Sequence, residues 1–304
     1  MIAENIVLSS QFTWSDIEAP LKSELAYVSE EFEIPSMLLM DGVRPGHLPK
    51  FEFSQGCSFF LLRFYDPEDK VADITAQKMT SKLAVYIRGK SVVSIHQRQL
   101  LPLRRFTETR ASAEFPDHPR ALVHQLFRLG VLSLEDALSE LQLDYEAFER
   151  FVLSKTVGSL SNTKVYEFRR RLYVIKGIVQ LTRQSLHSSR EFWGEEQTLQ
   201  QDIRENLDQL YFKLDGVGQS FDQLFALNLS FNEQKNNDVM KVLTVFASVM
   251  LPLTFIASFY GMNFDHLPGL HTTRGFVGAL LIMATTTFVT IWYFARKRWL
   301  SPSV

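Results

Sequence analysis

The sequence predicts an α+β domain, with a mixed sheet flanked by helices, followed by a long stalk helix and two transmembrane helices. Three observations lead to this prediction: strand-like runs between residues 58 and 96, helical periodicity from Pro119 onward, and two long uncharged segments near the C-terminus. We divide the 304 residues into an α/β domain (1–118), a helical region (119–241) ending in the stalk helix (about 199–241), a first membrane span (242–264), an outer loop (265–274), a second span (275–295) and a basic tail (296–304).

Three runs rich in aromatic and β-branched residues predict strands at 58–65, 82–88 and 91–96. Gly89, flanked by Arg88 and Lys90, is a turn signal, so we expect the last two strands to form a hairpin. Cys57, the chain's single cysteine, precedes the first run. One thiol can form neither a disulfide framework nor a cysteine-based zinc site, and we interpret Cys57 as a small buried hydrophobic residue.

The charge balance excludes one large class of partner. The formal net charge is −2 and the sequence pI is about 6.4, so the chain has no basic excess and nucleic acid is not expected as a partner. The conspicuous basic run Arg169, Arg170 and Arg171 falls within a segment of helical periodicity. We interpret this run as a solvated helix face, with a pairing or membrane-surface role as the alternative.

The stalk helix is predicted from apolar residues that repeat at helical spacing from about Leu199 onward. No proline interrupts this pattern before Pro252, so one helix is expected to continue into the membrane. At about 1.5 Å per residue its length is on the order of 90 Å. Gly216 and Gly218 weaken the helix by roughly 1 kcal/mol each, and they mark either a soft point or a site of close packing.

Residues 242–264 and 275–295 contain no charged side chain. Each segment has about the ~20 residues that a helix needs to cross ~30 Å of hydrocarbon. The basic residues at 296–298 and the adjacent Trp299 favour the cytoplasmic side at the end of the second span. Because two spans return the chain to the side where it started, we expect a multi-pass protein of the inner (cytoplasmic) membrane with both termini in the cytoplasm.

One face of the first span is small, polar or flexible rather than uniformly bulky. Its members are separated by three or four residues: Asn237, Met240, Leu243, Ala247, Leu251, Thr254, Ser258 and Gly261. Polar groups in a membrane span usually face protein or water rather than lipid. This stripe is therefore expected to face a neighbouring subunit or a pore, and two helices per chain cannot enclose a pore alone.

Segments 237–244 (NDVMKVLT), 251–257 (LPLTFIA) and 260–264 (YGMNF) resemble, in order and spacing, the CorA family of divalent-cation transporters. The resemblance is strong over about 237–300 and weaker in the strand region. It implies a homopentameric funnel in the lipid bilayer, in which five stalks and first spans line a central pore. The transported ion would be a divalent cation, Mg²⁺ (with Co²⁺ or Ni²⁺) or Zn²⁺, which is also the ion expected at a regulatory site.

The resemblance also implies roles for single residues. The outer mouth of the pore would be formed by Gly261, Met262 and Asn263, with Gly261 permitting the turn out of the helix. Further oxygen rings would come from Thr254 and Asn237, and apolar constrictions that gate by dewetting from Met240, Leu243 and Leu251. A regulatory cation between cytoplasmic domains would bind Asp202, the stalk aspartate that matches by position.

The outer loop departs from the pattern of the magnesium-transporting members. Several magnesium-transporting members have two acidic residues in this loop. Asp265 corresponds to the first, whereas Gly269 occupies the position of the second. Asp265, His266 and His271 could capture incoming cations, and imidazole suits Zn²⁺, Ni²⁺ and Co²⁺ better than Mg²⁺. The zinc-transporting, ZntB-like branch of the superfamily is therefore an alternative, although Met262 is the residue usual in the magnesium branch.

The sequence argues against two other classes of function, a non-conducting membrane protein and an enzyme. A membrane-anchored metal sensor or scaffold without ion flux would not need Asn237, Thr254 and Asn263 on related faces. An enzyme is not expected, because the sequence has no Ser/His/Asp arrangement, no phosphate-binding glycine loop and no His-x-x-x-His pair. No cofactor is expected beyond the divalent cation itself.

Overall fold

The computed structural model describes residues 5–8, 12–66, 74–108, 115–154, 161–262, 272–297 and 299. The chain divides into two compact units, Met1–Gln223 and Leu224–Val304. The boundary between them falls inside a helix.

A mixed sheet forms the centre of the first unit. Its strands are β1 (Asn5–Leu8), β2 (Thr13–Glu18), β3 (Lys50–Ser54), β4 (Cys57–Tyr65), β5 (Thr80–Arg88) and β6 (Ser91–His96). They lie in the order β1-β2-β6-β5-β4-β3, in which β2 and β6 are parallel and the other neighbours are antiparallel. The predicted mixed sheet is thereby confirmed.

The three predicted strands are confirmed as β4, β5 and β6, with ends shifted by two residues at most. Arg88 pairs with Ser91 across the predicted hairpin, and Gly89 takes a φ of +55° in the turn between them. A positive φ is inexpensive for glycine, which explains its place there. Strand β4 is buried at eight of its nine positions, as expected for a strand covered on both faces.

One face of the sheet packs against α1 (Lys22–Glu31) and α2 (Ser36–Val43). The shared core contains apolar side chains of both layers: Ile17, Leu25, Val28, Ile34, Leu38, Leu39, Cys57, Phe59, Leu61, Ala84, Tyr86, Val93 and Ile95. Cys57 is fully buried, with 0% of its surface exposed, so its interpretation as a buried hydrophobic residue is confirmed. Burial raises the pKa of its thiol to about 11, which makes it unreactive near neutral pH.

The remaining helices of the first unit are α3 (Ala76–Met79), α4 (Leu101–Glu108), α5 (Pro119–Leu153), α6 (Asn162–Ser188) and α7 (Arg190–Trp193). The opposite face of the sheet is covered by α5 and α7. There the ring of Phe60 in β4 lies edge-on to Phe127, with centroids 5.5 Å apart, and to Phe192, with centroids 5.1 Å apart. These aromatic contacts anchor the helical layer on the buried central strand.

The long helix α8 runs from Gln197 to Tyr260, 64 residues without a break, and α9 spans Thr273–Arg296. In the first unit, α8 buries apolar side chains at helical spacing: Ile203, Leu207, Leu210, Leu214 and Phe221. A Cβ on Gly218 would lie 3.0 Å from Leu172 Cδ2, whereas one on Gly216 would meet nothing within 4 Å. The prediction of close packing therefore holds for Gly218 and not for Gly216.

The arginine run makes specific contacts, which corresponds to the pairing alternative rather than to a purely solvated face. Arg169 forms an ion pair with Asp222 at 2.8 Å, and Arg171 pairs with Asp144. Arg170 Nε donates a hydrogen bond of 3.1 Å to the Ile74 carbonyl. Successive helix positions point about 100° apart, so three adjacent arginines reach three different neighbours.

Candidate functional site

The predicted stripe lies along the C-terminal part of α8, and each of its eight residues is exposed. Met240, Leu243 and Leu251 expose 58%, 57% and 71% of their surfaces. Half-buried side chains fall on another face of the same helix: Val245, Val249, Pro252, Ile256 and Tyr260. Within the described part of this chain, the stripe is therefore left uncovered.

The surroundings of the stripe are apolar and equally exposed. On α8, Phe246 and Phe255 expose 60% and 69% of their surfaces, and on α9, Leu281 and Phe288 expose 62% and 72%. Both helices are long and apolar enough to cross a membrane. A soluble core helix would bury such side chains, so their exposure points to lipid or to further subunits as the missing cover.

Six threonine hydroxyl groups of the two spans are satisfied inside their own helices. Thr254 Oγ1 donates to the Met250 carbonyl at 2.8 Å, and Thr244 Oγ1 donates to the Met240 carbonyl at 2.7 Å. Four threonines of α9 bond in the same way: Thr285, Thr286, Thr287 and Thr290. These bonds use the hydroxyl hydrogen and leave oxygen lone pairs available, so exposed Thr254 can still accept a hydrogen bond from water.

Helix α8 ends at Tyr260, where the Gly261 amide donates to the Ala257 carbonyl at 2.9 Å. Gly261 does not take a positive φ, so the chain leaves the helix here without a left-handed residue. A Cβ at Gly261 would instead lie 3.1 Å from the Ala257 carbonyl oxygen, so glycine permits a close approach of backbone to backbone. Met262 follows, about half exposed.

Four of the predicted site residues cannot be placed. Asn263, Asp265, His266 and His271 lie outside the described residues. The predicted mouth is therefore described as far as Met262.

Asn237 lies at the opposite end of the stripe, on the wall of a cavity of about 480 Å³. Met240, Lys241, Thr244 and Trp299 also line this cavity. Lys241 Nζ lies 2.8 Å from Asp238 Oδ1, so its charge is balanced within one helical turn. The wall is thus polar around Asn237, and Met240 adds an apolar surface beside the polar Lys241 and Thr244.

The stalk aspartate Asp202 contacts a histidine that sequence reasoning missed. His124 Nε2 lies 2.8 Å from Asp202 Oδ2. His124 is largely buried in α5, whereas the Asp202 side chain is 53% exposed. No group of three or more His, Cys, Asp or Glu side chains that could hold a metal exists among the described residues. A cation at Asp202 would therefore need ligands from another chain or from water.

Comparisons with known proteins agree on one family. The family described as "CorA-like Mg2+ transporter protein" matches residues 9–298 of this chain. The cobalt/magnesium transport protein CorA of Thermotoga maritima is 24% identical over 303 residues, covering 96% of this chain and 84% of that protein. The putative metal ion transporter YfjQ of Bacillus subtilis is 26% identical, covering 94% of this chain and 89% of that protein.

Two solved structures share the fold. The CorA magnesium transporter from Methanocaldococcus jannaschii superposes with a TM-score of 0.81 at 20% identity, covering 97% of this chain and 94% of that one. The cytoplasmic domain of ZntB from Vibrio parahaemolyticus superposes with a TM-score of 0.60 at 10% identity, covering 73% of this chain and 88% of that one. At these identities the likeness extends to the fold alone.

Proposed function

Because the chain belongs to the CorA-like Mg²⁺ transporter family, which matches it over residues 9–298, we propose that it conducts divalent cations through the central pore of a homopentamer. The observation that supports this proposal best is the uncovered stripe of α8, whose small and polar side chains run along an otherwise apolar, exposed membrane helix. A stripe of this kind needs neighbours, and copies of the same helix are the simplest ones.

The proposed mechanism follows from the chemistry of hydrated cations. Mg²⁺ is small, holds its waters tightly and loses them reluctantly. A ring of Asn263 carboxamides at the outer mouth would accept hydrogen bonds from those waters without removing them. Thr254 and Asn237 would supply further oxygen rings along the pathway. Apolar rings of Met240, Leu243 and Leu251 would dewet and close the pore when it narrows.

The transported ion is proposed to be Mg²⁺, together with Co²⁺, as the names of the relatives from Thermotoga and Methanocaldococcus suggest. Ni²⁺ is proposed beside Co²⁺ on the resemblance of the pore segments alone. The alternative is a ZntB-like, proton-coupled Zn²⁺ transporter. It is favoured by the imidazoles of His266 and His271, which with Asp265 would capture incoming cations. A non-conducting metal sensor in the membrane is the alternative from a different class.

The chain is a membrane protein, and we propose the inner membrane with both termini in the cytoplasm. In this arrangement residues 1–241 are cytoplasmic, the outer loop at 265–274 joins the spans, and the basic tail at 296–304 returns to the cytoplasm. A regulatory cation held by Asp202 would compete with His124 for the carboxylate.

The decisive experiment measures cation uptake into liposomes that contain the purified full chain and an internal metal-sensitive dye. Uptake of Mg²⁺, Co²⁺, Ni²⁺ and Zn²⁺ is compared with and without a proton gradient. Asn263→Ala should lower uptake by at least about tenfold, equivalent to about 1.4 kcal/mol in the barrier. Asn232→Ala is the matched control, because Asn232 is an exposed asparagine of α8 that does not belong to the stripe.

Background flux of all four ions through the natural chain would reject transport and leave the sensor. Equal uptake by the natural chain and Asn263→Ala would reject the assigned mouth while keeping transport. Uptake of Zn²⁺ alone that depends on the proton gradient would select the ZntB-like alternative.

A further inference from the structure

A ladder of ion pairs joins α6 to α8 in the first unit. Three cations of α6 and three aspartates of α8 each follow one another at intervals of seven residues. They pair in opposite chain directions: Arg169 with Asp222, Lys176 with Asp215, and Arg183 with Asp208. Seven residues make about two helical turns, so each series stays on one face of its helix. The regular interval therefore predicts where the next pair along these two antiparallel helices should lie.

The next pair in this series lacks its acid. Arg190 of α7 lies seven residues after Arg183, whereas Gln201 stands seven residues before Asp208, where the aspartate is expected. The Gln201 side chain is engaged within α8, because its Nε2 donates to Glu205 Oε1 at 2.7 Å. Among the described residues, no carboxylate pairs with Arg190. Its guanidinium is therefore available to a partner from outside the chain.

A cavity of about 420 Å³ lies at this end of the ladder, between the end of α6, α7 and the start of α8. Three arginines, four glutamines, one histidine and one leucine line it. All of them fall between positions 183 and 204, inside the stretch 161–262 that the structure describes without a gap. No aspartate or glutamate is among these lining residues. The polar part of the wall thus consists of side chains that carry N–H donors.

Among the described residues, a single carboxylate pairs with the three arginines of this wall. Arg183 Nη2 lies 2.5 Å from Asp208 Oδ1, and Arg204 Nε lies 3.8 Å from Asp208 Oδ2. Arg190 adds a third positive charge without adding an acid. Like charges around one space repel one another, and an anion that enters relieves this repulsion. The cavity lies outside the proposed ion pathway, and it would repel a divalent cation rather than bind one.

Part of the donor set is held in place by the surrounding helices. The Arg183 guanidinium carbon lies 5.1 Å from the centre of the Tyr211 ring, and Gln200 Nε2 donates to the Leu186 carbonyl at 2.7 Å. The Arg204 side chain is 65% exposed, which leaves the cavity accessible from solvent. A guanidinium presents five N–H groups in one plane, and this fork matches two oxygens of a phosphate. The wall therefore combines fixed donors with an open entrance.

We propose that this cavity binds a phosphate group, either as free phosphate or at the end of a nucleotide, with Arg190 as the principal contact and Arg183 and Arg204 beside it. A carboxylate carries one negative charge, whereas a phosphate carries up to two and has oxygens for several guanidinium groups at once. The volume exceeds what a phosphate alone occupies, which leaves room for an attached organic group. The inference does not depend on the proposed transport function.

The first test measures binding to the full chain in detergent by calorimetry, with inorganic phosphate in one arm and adenosine triphosphate in the other, both without divalent cations. Arg190→Gln removes a charge that no described carboxylate balances, so the fold should be kept. Its affinity should fall at least about tenfold relative to the natural chain. Arg128→Gln is the matched control, since Arg128 is an exposed arginine of α5 that does not line the cavity, and this variant should bind as the natural chain does.

A second variant adds an acid instead of removing a base. Gln201→Glu places a carboxylate at the incomplete position of the ladder, where it should pair with Arg190 and exclude the ligand. The affinity should again fall at least about tenfold. Gln223→Glu adds the same charge at an exposed position of α8 that does not line the cavity, so it should leave the affinity unchanged.

A third test needs no substitution, so a folding defect cannot obscure it. The natural chain is treated briefly with phenylglyoxal, which modifies accessible guanidinium groups, and the modification of each arginine is measured by mass spectrometry. Arg190 and Arg128 are both exposed and should both react. The ligand that binds should protect Arg190 and leave the modification of Arg128 unchanged.

Binding in either arm that both Arg190→Gln and Gln201→Glu weaken supports the site, and the arms distinguish free phosphate from a nucleotide. Absence of binding in both arms overturns the inference. An affinity that stays at the natural value in either of these variants overturns it as well, and so does a loss of the same size in Arg128→Gln. Equal modification of Arg190 with and without ligand has the same consequence.

Discussion

His96 at the end of β6 faces hydrogen-bond acceptors at both ring nitrogens. Nδ1 lies 2.7 Å from the Arg98 carbonyl, and Nε2 lies 3.3 Å from Asp16 Oδ2. Both contacts are satisfied only when both nitrogens carry hydrogen, which is the imidazolium form. Burial lowers the pKa of His96, but the hydrogen bond and charge of Asp16, with smaller contributions from the Arg98 carbonyl and Glu18, outweigh burial and raise it.

The charged pair predicts a pH-dependent stability. Because the folded state raises the pKa of His96, its contribution is fully present below the unfolded value of about 6.5 and is lost as pH rises through the folded value. His96→Gln should therefore cost roughly 1–3 kcal/mol of unfolding free energy at pH 6 and less at pH 9. Denaturant unfolding of the full chain at several pH values measures this difference.

His187→Gln provides the control, because His187 is an exposed histidine at the end of α6. Its pH profile should follow that of the natural chain. A constant difference between His96→Gln and the natural chain from pH 6 to pH 9 would contradict the assigned charge.

For single residues, the sequence predicted the environment correctly where the type of the residue alone determines that environment. The isolated thiol of Cys57 was predicted to be buried, and it is. The partner of Asp202 could not be predicted, because His124 is 78 positions away in another helix and nothing in the local pattern pairs them. The same applies to Asp16 and His96, which meet only through the pairing of β2 with β6.

Within α8, two glycines two residues apart differ in what surrounds them. Gly216→Ala meets open space and gains helix propensity, so it should raise the unfolding free energy by about 1 kcal/mol. Gly218→Ala gains the same propensity, but its Cβ would press on Leu172 at 3.0 Å, so its net effect should be smaller or negative. Unfolding of both variants under one condition measures the difference, and equal effects would contradict the packing.

The three strands that the sequence predicted share two properties. Each of β4, β5 and β6 is a continuous run rich in apolar residues, and consecutive strands of this set pair in antiparallel fashion. The first two strands were not predicted individually. β2 carries polar residues within its run and pairs in parallel with residues 78 positions later, which no local signal reports. β1 has only four residues.

For the whole molecule, the buried thiol permits a test of the proposed topology. Cys57 is fully buried, so the natural chain is almost silent toward maleimides. Gly269→Cys, in the predicted outer loop, should react with an impermeant maleimide added to intact cells. Ser303→Cys, in the tail, should react only after the membrane is permeabilised. Labelling of Ser303→Cys in intact cells would contradict a cytoplasmic C-terminus.

The membrane part could be predicted from sequence further than the cytoplasmic part. Two uncharged segments specify the spans, because the bilayer sets their length and polarity. The stripe was likewise predicted from spacing, and its exposure on α8 is observed. The identity of the transported ion is specified neither by the sequence nor by the structure of one chain, because ligands from several copies would surround the ion.

The order of the two units has a consequence for biosynthesis. All strands formed by the described residues lie between positions 5 and 96, and 241 residues precede the first uncharged segment. At roughly 5–20 residues per second, a ribosome needs about 12–48 s to reach that segment. The sheet can therefore fold before the first uncharged segment, residues 242–264, has been synthesised. Folding of the strands and insertion of the spans are thus separated in time along the same chain.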